Sequence, residues 1–233
     1  MHNFFHLRPR HAGALLITGL AVLSGCAQQG LDIGSSLMFW ADNQAAMQRE
    51  AENTSAASLK LDITGRSGLA ILGAQSGDMT FWAFGSRRLV SLFQGGIQSS
   101  SGFEADLLAT RYFLDKTAPD EMADNGNAPW QTGNHARYQL ERHWIDDDGN
   151  TIAMRADGEM SCQETTQTFN LVLARDIELQ PCSVNYTWQN GQTTQAQWWR
   201  TPQTARIWKA SEQLWPDGPE ASWEVARPWW SES

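Results

Sequence analysis

The sequence predicts an all-β protein, an antiparallel meander that forms either a sandwich or an incomplete barrel, preceded by a short helix. From Leu59 onward, apolar and polar residues alternate with a period of two, in short segments that turns of two to three residues separate. Thr, Val and aromatic residues dominate the second half, which is typical of half-buried strands. No repeat of roughly 20–50 residues is visible, which argues against a propeller or a solenoid.

The N-terminal residues have the features of a secretory signal. Residues 12–25 are apolar or small throughout, and Arg8 and Arg10 stand just before them. Spanning a bilayer takes roughly 20 apolar residues, so this run is too short for a transmembrane helix and suits the apolar part of a signal peptide. We therefore expect residues 1–25 to be removed as a lipoprotein signal peptide.

The signal ends in Leu23-Ser24-Gly25-Cys26, which is similar to a bacterial lipobox. In such signals the cysteine sulfur receives a diacylglycerol, and cleavage occurs before the cysteine. Cys26 is the predicted lipid anchor, which would hold the chain at a membrane; a plain signal peptide with a chance cysteine is the alternative. Ala27 stands where inner-membrane retention signals usually carry Asp. This resemblance indicates the outer membrane. We expect the domain to face the periplasm; the alternative is that it faces the cell exterior.

The charge balance excludes one class of partner. The chain carries 17 basic and 26 acidic residues, a formal net charge of −9, and two of the basic residues leave with the signal. A surface this acidic repels phosphate backbones, so nucleic acid is not an expected partner. Of the five histidines only His135 and His143 lie outside the signal, which limits metal binding and general-base chemistry. We expect no metal and no cofactor.

The cysteines predict one disulfide. With Cys26 lipidated, Cys162 and Cys182 remain, and an even remainder in an oxidising compartment favours a bridge between them. Such a bridge, closing a loop of about 20 residues, is worth about 3 kcal/mol in the chain-entropy model. Two buried free thiols are the alternative.

Composition divides the mature chain into three parts. Residues 26–35 are small and polar and predict a tether. A helical lead is expected over 36–57, in which residues 36–52 contain good helix formers without Gly or Pro. The antiparallel β domain is expected over 58–233. Its first half contains, in order, the strand-like segments SLKLDIT, GLAILGAQ, MTFWAF and RRLVSLFQ, joined by short turns.

Residues 115–135 carry two Pro, two Gly and many polar residues, and predict a long surface loop. This loop separates either two sheets of one domain or two subdomains. Beyond it, ARYQLERHWI and NTIAMRAD alternate on either side of DDDGN, and MSCQETTQTFNLVLA, PCSVNYTW and QTTQAQWW follow as further strand segments.

The acidic residues give no clear catalytic set. Residues 146–150 predict a hairpin turn, because the ligand spacing of a calcium loop is missing. Glu141 and His143 share a strand face, where such a pair can do acid–base work but is also common on solvated surfaces. A glycan-processing enzyme would pair Glu141 with Asp146 or Asp157. No nucleophile elbow and no phosphate loop is present, so we assign no catalytic residue.

Tryptophan is the unusual feature of the composition. The chain has 12, of which eight lie between Trp188 and Trp230. Tryptophan presents a flat apolar ring with a polar N–H, which suits binding surfaces as well as half-wet packing. Trp198 and Trp199 must point to opposite faces if their segment is a strand. The candidate surface for a glycan or a partner protein is Trp198, Trp199, Trp229 and Trp230; the alternative is that these rings fill and seal a core.

Most of residues 23–210 resemble the YjbF/GfcB group of capsule polysaccharide lipoproteins. The similarity lies in SLKLDITGRSGLAILGAQSGDMTFWAF, in RRLVSLFQGGIQSSSGFEADLLAT and in the late segment VNYTWQNGQTTQAQWW. Trp82 stands at the family's Trp position, and 101–107 match the end of the family's second segment. Residues 95–97, Gly-Gly-Ile, stand where relatives often have Gly-Arg-Leu, so no role of that arginine is carried over.

The resemblance implies an outer-membrane lipoprotein needed for making or exporting exopolysaccharide of the group 4 capsule type, with no known catalytic residues. Three functions follow, in order of preference. The first is a non-enzymatic accessory that contacts exopolysaccharide or an export component. The second is a structural envelope protein whose tryptophans all fill the core. The third is a glycan-processing enzyme.

Overall fold

The computed structural model describes residues 44–114, 128–146 and 148–231. The predicted signal peptide, the anchor Cys26, the tether and the start of the predicted helical lead lie outside these ranges. Within them the chain forms one α-helix, α1, at 44–53, a single 3₁₀ turn at Pro129–Gln131, and thirteen strands. The prediction of a mostly antiparallel β fold with a short helix before it is confirmed.

The strands follow one another with short connections. They are β1 (Ser58–Ile63), β2 (Arg66–Ser76), β3 (Met79–Phe84), β4 (Arg88–Phe93), β5 (Gly96–Ser101), β6 (Leu107–Phe113), β7 (His135–Ile145), β8 (Thr151–Cys162), β9 (Gln167–Phe169), β10 (Ile177–Trp188), β11 (Thr193–Arg200), β12 (Ile207–Gln213) and β13 (Glu220–Arg227).

All thirteen strands belong to one antiparallel sheet. Its order is β5-β4-β3-β2-β1-β13-β12-β11-β10-β8-β7-β6, with β9 added on β10. The first meander therefore runs outward from β1, and the second half joins it through the pairing of β1 with β13. The strands on the two sides of the segment 115–135 are thus continuous in one sheet.

The two edge strands lie side by side, and the sheet curls into a nearly closed barrel. Side chains join the edges: the amide of Gln98 on β5 donates to the carbonyl of Thr110 on β6, at 2.6 Å. The hydroxyl of Ser100 accepts from the backbone N–H of Leu107, at 2.9 Å. These bonds satisfy some of the backbone groups that an open sheet edge leaves unpaired.

Because apolar and polar residues alternate along the strands, most apolar side chains point into the barrel and most polar side chains point out. On β1, Leu59, Leu61 and Ile63 are buried in the barrel, as the alternation predicts. Large aromatic side chains pack in the interior together with Leu, Ile, Val and Ala residues. The buried tryptophans are Trp82, Trp130, Trp144, Trp188, Trp198, Trp208, Trp215 and Trp223.

Helix α1 packs on the outside of the sheet. Ala51 is fully buried against Leu69 and Ala226, and Val172 and Leu173 pack against the same small cluster. The helix begins at 44 in the described chain, whereas the sequence predicts it from 36; residues 36–43 lie outside the described ranges.

The predicted disulfide is present between Cys162 on β8 and Cys182 on β10, which face each other in register. The strand predicted over MSCQETTQTFNLVLA differs from the structure, because its start continues β8 and only Gln167–Phe169 forms a separate strand. The disulfide therefore closes the loop whose residues Val172 and Leu173 pack against the cluster under α1.

The end of the segment 115–135 contradicts the prediction of a surface loop. Trp130 is fully buried, and its indole N–H donates to the carbonyl of Gln94 at 3.1 Å. The buried Arg200 holds this stretch in place by donating to the carbonyls of Trp130 and Gly133 and to the side chain of Asn134. The polar composition of this segment predicts a loop, but one of its side chains, Trp130, packs inside the barrel. Residues 115–127 lie outside the described ranges.

Candidate functional site

Trp229 and Trp230, just after β13, form one wall of a recess of about 210 Å³, which we call the tryptophan recess. Four other parts of the chain complete it: the β2–β3 turn, the β4–β5 turn, the 3₁₀ turn, and the residues around the start of β12. Its side chains include Gln75, Asp78, Gln131, Arg206, Trp229 and Trp230. Elements distant in sequence thus place indole rings beside amide, carboxylate and guanidinium groups.

Ring contacts fix the tryptophan pair. Trp229 meets the buried Trp82 edge-on at 5.1 Å between ring centroids, and Trp230 meets Trp208 in the same way at 5.1 Å. The two rings lie 4.2 Å apart at 74° to each other. Both side chains are half-buried, so part of each indole is accessible from solvent. An indole face held in this way can pack against the C–H face of a sugar ring.

The polar side of the recess is built around the β4–β5 turn. The side-chain amide of Gln94 donates to Asp78 Oδ2 at 3.0 Å, and its Oε1 accepts from the backbone N–H of Ala128 at 2.9 Å. These bonds orient the Asp78 carboxylate, which retains lone pairs for further donors. A carboxylate and amides beside aromatic rings form the combination that orients a polyhydroxylated ligand.

Arg206 adds a positive charge at the rim. Its guanidinium lies over the ring of Trp230, with Cζ 5.4 Å from the centroid. This cation–π contact stiffens both side chains at the mouth of the recess.

Two glycines make room for this arrangement. A Cβ on Gly96 would lie 2.2 Å from the ring of Trp130, and a Cβ on Gly95 would lie 3.2 Å from Ile207. Gly95 also has a φ of +93°, which favours glycine. A larger side chain at position 96 would displace Trp130. Glycine at this position therefore has a steric reason in this chain.

The structure separates the four candidate tryptophans. Trp198 is fully buried, edge-on to Trp130 at 4.8 Å, so its prediction as part of an exposed surface is wrong. The reason is register: Trp198 points into the barrel and Trp199 points out, as neighbours on a strand must. Trp199 is half-buried between Phe169 and Lys209, whose ammonium lies 4.9 Å from the ring centroid. Only Trp229 and Trp230 meet in one recess.

Glu141 and His143 do lie on one face, with Nε2 of His143 2.9 Å from Oε1 of Glu141. Arg155 donates to the other carboxylate oxygen at 2.7 Å, and Arg111 approaches at 3.4 Å. The contact with His143, followed by the bond from Arg155, holds the pKa of Glu141 below its ordinary value, although partial burial opposes them. A general acid of a glycosidase needs the opposite shift.

The other acidic candidates have structural contacts. Asp146 accepts backbone N–H groups of Asp148 and Asn150 at 3.1 and 2.7 Å, which forms the predicted turn between β7 and β8. Those bonds, first of all the one from Asn150, lower the pKa of Asp146. Asp157 lies opposite Gln139 and Thr187 in the sheet.

Among the described residues, no group of three or more His, Cys, Asp or Glu side chains is arranged to hold a metal ion. In the same ranges, no helix combines the length and the apolar character needed to cross a bilayer.

Sequence reasoning missed Asp78, Gln94, Gln131 and Arg206 as members of the recess. Each is an ordinary polar residue near a turn, and no local pattern connects them. The one signal was the pair Trp229–Trp230, which follows the last strand.

No protein-family model and no curated protein sequence matches the chain. Among solved structures, the fold is similar to the crystal structure of the hypothetical lipoprotein YmcC from Escherichia coli K12. The alignment has a TM-score of 0.63 and 14% identity, and covers 86% of this chain and 97% of YmcC. At this identity the likeness establishes the shared fold.

Proposed function

We propose that the protein is a lipid-anchored, non-enzymatic accessory of exopolysaccharide production or export at the outer membrane, and that the tryptophan recess contacts the glycan. The observation that carries the proposal is the pairing of two half-exposed indoles with amide and carboxylate groups in one recess. An export component that presents an extended segment is the alternative occupant of the same recess.

The envelope location rests on two features of the chain. The lipobox-like Leu23-Ser24-Gly25-Cys26 supplies an anchoring cysteine, and several acyl chains would hold the domain at the membrane. The disulfide between Cys162 and Cys182 suits an oxidising compartment outside the cytosol. The fold shared with a hypothetical lipoprotein is consistent with both.

Complementation in cells tests this function. Deletion of the gene is expected to lower cell-associated exopolysaccharide, and the wild-type chain is expected to restore it. The variant W229A/W230A is expected to restore much less, whereas Trp199→Ala, a half-buried tryptophan outside the recess, is expected to restore it fully. Unchanged exopolysaccharide in the deletion strain would refute the proposal.

The contacts of the tryptophan pair with Trp82 and Trp208 make stability a concern for the double variant. Gln131→Ala and Arg206→Ala change the recess without touching those contacts, and are expected to lower complementation in the same direction. Thermal unfolding and immunoblots confirm that each variant is folded and present.

A structural envelope protein is the second candidate. The eight buried tryptophans favour it, because they show that most of these rings stabilise the barrel. This function predicts that W229A/W230A complements fully whenever it is folded.

Incubation of purified protein with exopolysaccharide tests the third candidate, a glycan-processing enzyme. The appearance of new reducing ends would be the positive result.

A further inference from the structure

A second concave site lies on the outer face of the sheet, separate from the tryptophan recess. The outward-facing side chains of β10, β11, β12 and β13 enclose a groove of about 740 Å³, which we call the outer groove. The outside of a curved sheet is ordinarily convex, so a groove of this size needs a local cause. The outer groove and the tryptophan recess share no lining residue.

Two rows of side chains run across the strands and form the groove. One row consists of serines with one glutamine, because Ser183 pairs with Gln197, Gln197 with Ser211, and Ser211 with Ser222. The next row is longer-chained, because Asn185 pairs with Gln195 and Gln213 pairs with Glu220. Short side chains in one row leave a trough beside the longer chains of the other. The intervening residues, such as Val184 and Ala196, point into the barrel.

The amides of the groove are not used by the fold. Asn185, Gln195, Gln197 and Gln213 make no side-chain hydrogen bond to another described residue, and three of them are exposed. Other amides of the protein do structural work, as Gln98 does at the barrel seam and Gln180 does with Asn134. Four unengaged amides in one concavity offer donors and acceptors together, which is what a ligand with many hydroxyl groups requires.

The charge of the groove selects among such ligands. Glu220 is the one charged side chain among the outward-facing lining residues, and its carboxylate accepts from Ser211 at 2.6 Å. Among the residues that the structure describes, no cation lines the groove, and the chain as a whole carries a net charge of −9. An anionic chain would gain no ion pair and would meet repulsion, so the groove favours an uncharged ligand.

The spacing of the rows fits an extended chain. Neighbouring strands lie about 4.8 Å apart, so each row presents one polar side chain at roughly this interval. This interval is comparable to the length of one pyranose unit in an extended glycan. The row from Ser183 through Ser222 crosses the four strands β10 to β13, which is long enough for about three units at that spacing.

We infer that the outer groove binds an extended, uncharged polysaccharide lying across β10 to β13, held by the side-chain amides of Asn185, Gln195, Gln197 and Gln213. The inference rests on the proposed function in that both make the protein a glycan-binding protein, but it assigns a second site with its own ligand class. Two sites on one barrel let the protein hold one chain at two places, which raises its effective affinity.

Titrations of the purified protein test the inference. The neutral probes are cellohexaose, maltohexaose and mannohexaose, and the charged probe is hexagalacturonate. Binding is followed by calorimetry and by the side-chain amide signals in ¹H–¹⁵N NMR spectra. The variants are Q195A/Q197A, W229A/W230A and, as a matched control, Gln139→Ala, an outward amide of the same sheet that lies outside the groove.

The expected result is that a neutral hexasaccharide shifts the groove amides, and that Q195A/Q197A weakens its binding by about tenfold or more. Gln139→Ala is expected to leave that affinity unchanged. In W229A/W230A the shifts of the groove amides are expected to persist, because the outer groove shares no lining residue with the tryptophan recess. Three results would overturn the inference: no neutral hexasaccharide binds, hexagalacturonate binds more tightly, or the shifts occur only at the tryptophan recess. If complementation in cells still depends on Trp229 and Trp230 in that case, the proposed function holds and only the assignment of the outer groove fails.

Discussion

Arg142 and Glu212 form an ion pair inside the barrel, with Nη2 2.7 Å from Oε2 and both side chains fully buried. Arg142 also donates to the carbonyl of Leu214. Its Nε donates to the hydroxyl of Thr110 at 3.3 Å. The pair therefore connects β7 with β12 and the residues after it, and with β6 at the seam. Burial raises the pKa of Glu212 above its ordinary value, and the guanidinium of Arg142 limits the rise.

Removing one member of this pair is expected to destabilise the barrel strongly. Arg142→Met leaves the Glu212 carboxylate buried without its partner, which costs about 3–5 kcal/mol. The double variant R142M/E212L removes both charges and is expected to recover most of that loss. Urea unfolding followed by tryptophan fluorescence measures both. Equal losses in the single and double variants would contradict the coupling.

The close approach of Trp130 to Gly96 gives a second prediction. Gly96→Ala places a Cβ on the indole ring, so we expect a loss of about 1–3 kcal/mol in the free energy of unfolding from overpacking. Gly149→Ala is the control for glycine replacement in general, because nothing lies within 4 Å of its added Cβ, although its φ of +83° adds strain. If the smaller ring of Trp130→Phe fails to reduce the cost of Gly96→Ala, the steric explanation is wrong.

The disulfide is expected to stabilise the segment below α1 as well as the whole fold. Replacing Cys162 and Cys182 by Ala should lower the free energy of unfolding by about 3 kcal/mol, because a loop of about 20 residues is released. Hydrogen exchange should also accelerate in α1, at 44–53, which rests on residues of that loop. A reducing agent should reproduce both effects in the wild type and neither in the double variant. Unchanged hydrogen exchange in α1 would contradict the prediction that the disulfide stabilises the helix.

Glu141 gives a pH-dependent prediction with a definite sign. Its pKa is lowered in the folded state, so its contribution to stability is present above the pKa of the unfolded carboxyl and is lost as the pH falls through the folded value. Glu141→Gln is thus expected to be less stable than the wild type at pH 7, by about 1 kcal/mol or less because Arg111 is half-exposed. The difference should shrink as the pH falls below about 4.3, the ordinary pKa of a glutamate, and should vanish once the folded carboxylate is protonated.

Glu104→Gln is the matched control for that measurement. Its ion pair with Arg66 is largely solvent-exposed, so no measurable stability difference is expected at either pH. A gap between Glu141→Gln and the wild type that widens on acidification would contradict the assigned sign.

The alternation in the sequence predicted the fold class because strand faces repeat every two residues. The segment ARYQLERHWI contains a further signal. Arg142 shares the inward face of this strand with Tyr138, Leu140 and Trp144. A charged residue in an apolar register requires a buried partner. The partner, Glu212, lies on β12, and no local pattern identifies it, since only the closure of the sheet brings the two together.

The sequence predicted the aromatic part of the candidate site, which follows the last strand, and did not predict its polar part. Trp229 and Trp230 were predicted as a surface pair, whereas Trp198 was misplaced because alternation does not reveal which of two neighbouring tryptophans faces inward. The polar half of the recess comes from turns of separate hairpins, and Trp130 enters the barrel through a segment whose composition is that of a loop. Such features depend on tertiary packing, which single-sequence periodicity does not contain.

Direct binding of the host's own exopolysaccharide tests the central claim. The purified wild-type protein is expected to bind the immobilised polymer saturably, with a change in tryptophan fluorescence, and Trp199→Ala should behave in the same way. W229A/W230A, shown to be folded by its unfolding transition, is expected to bind at least about tenfold more weakly, as loss of aromatic contacts at a binding site implies. Equal binding by the wild type and W229A/W230A would contradict the assignment of the glycan contact to the tryptophan recess.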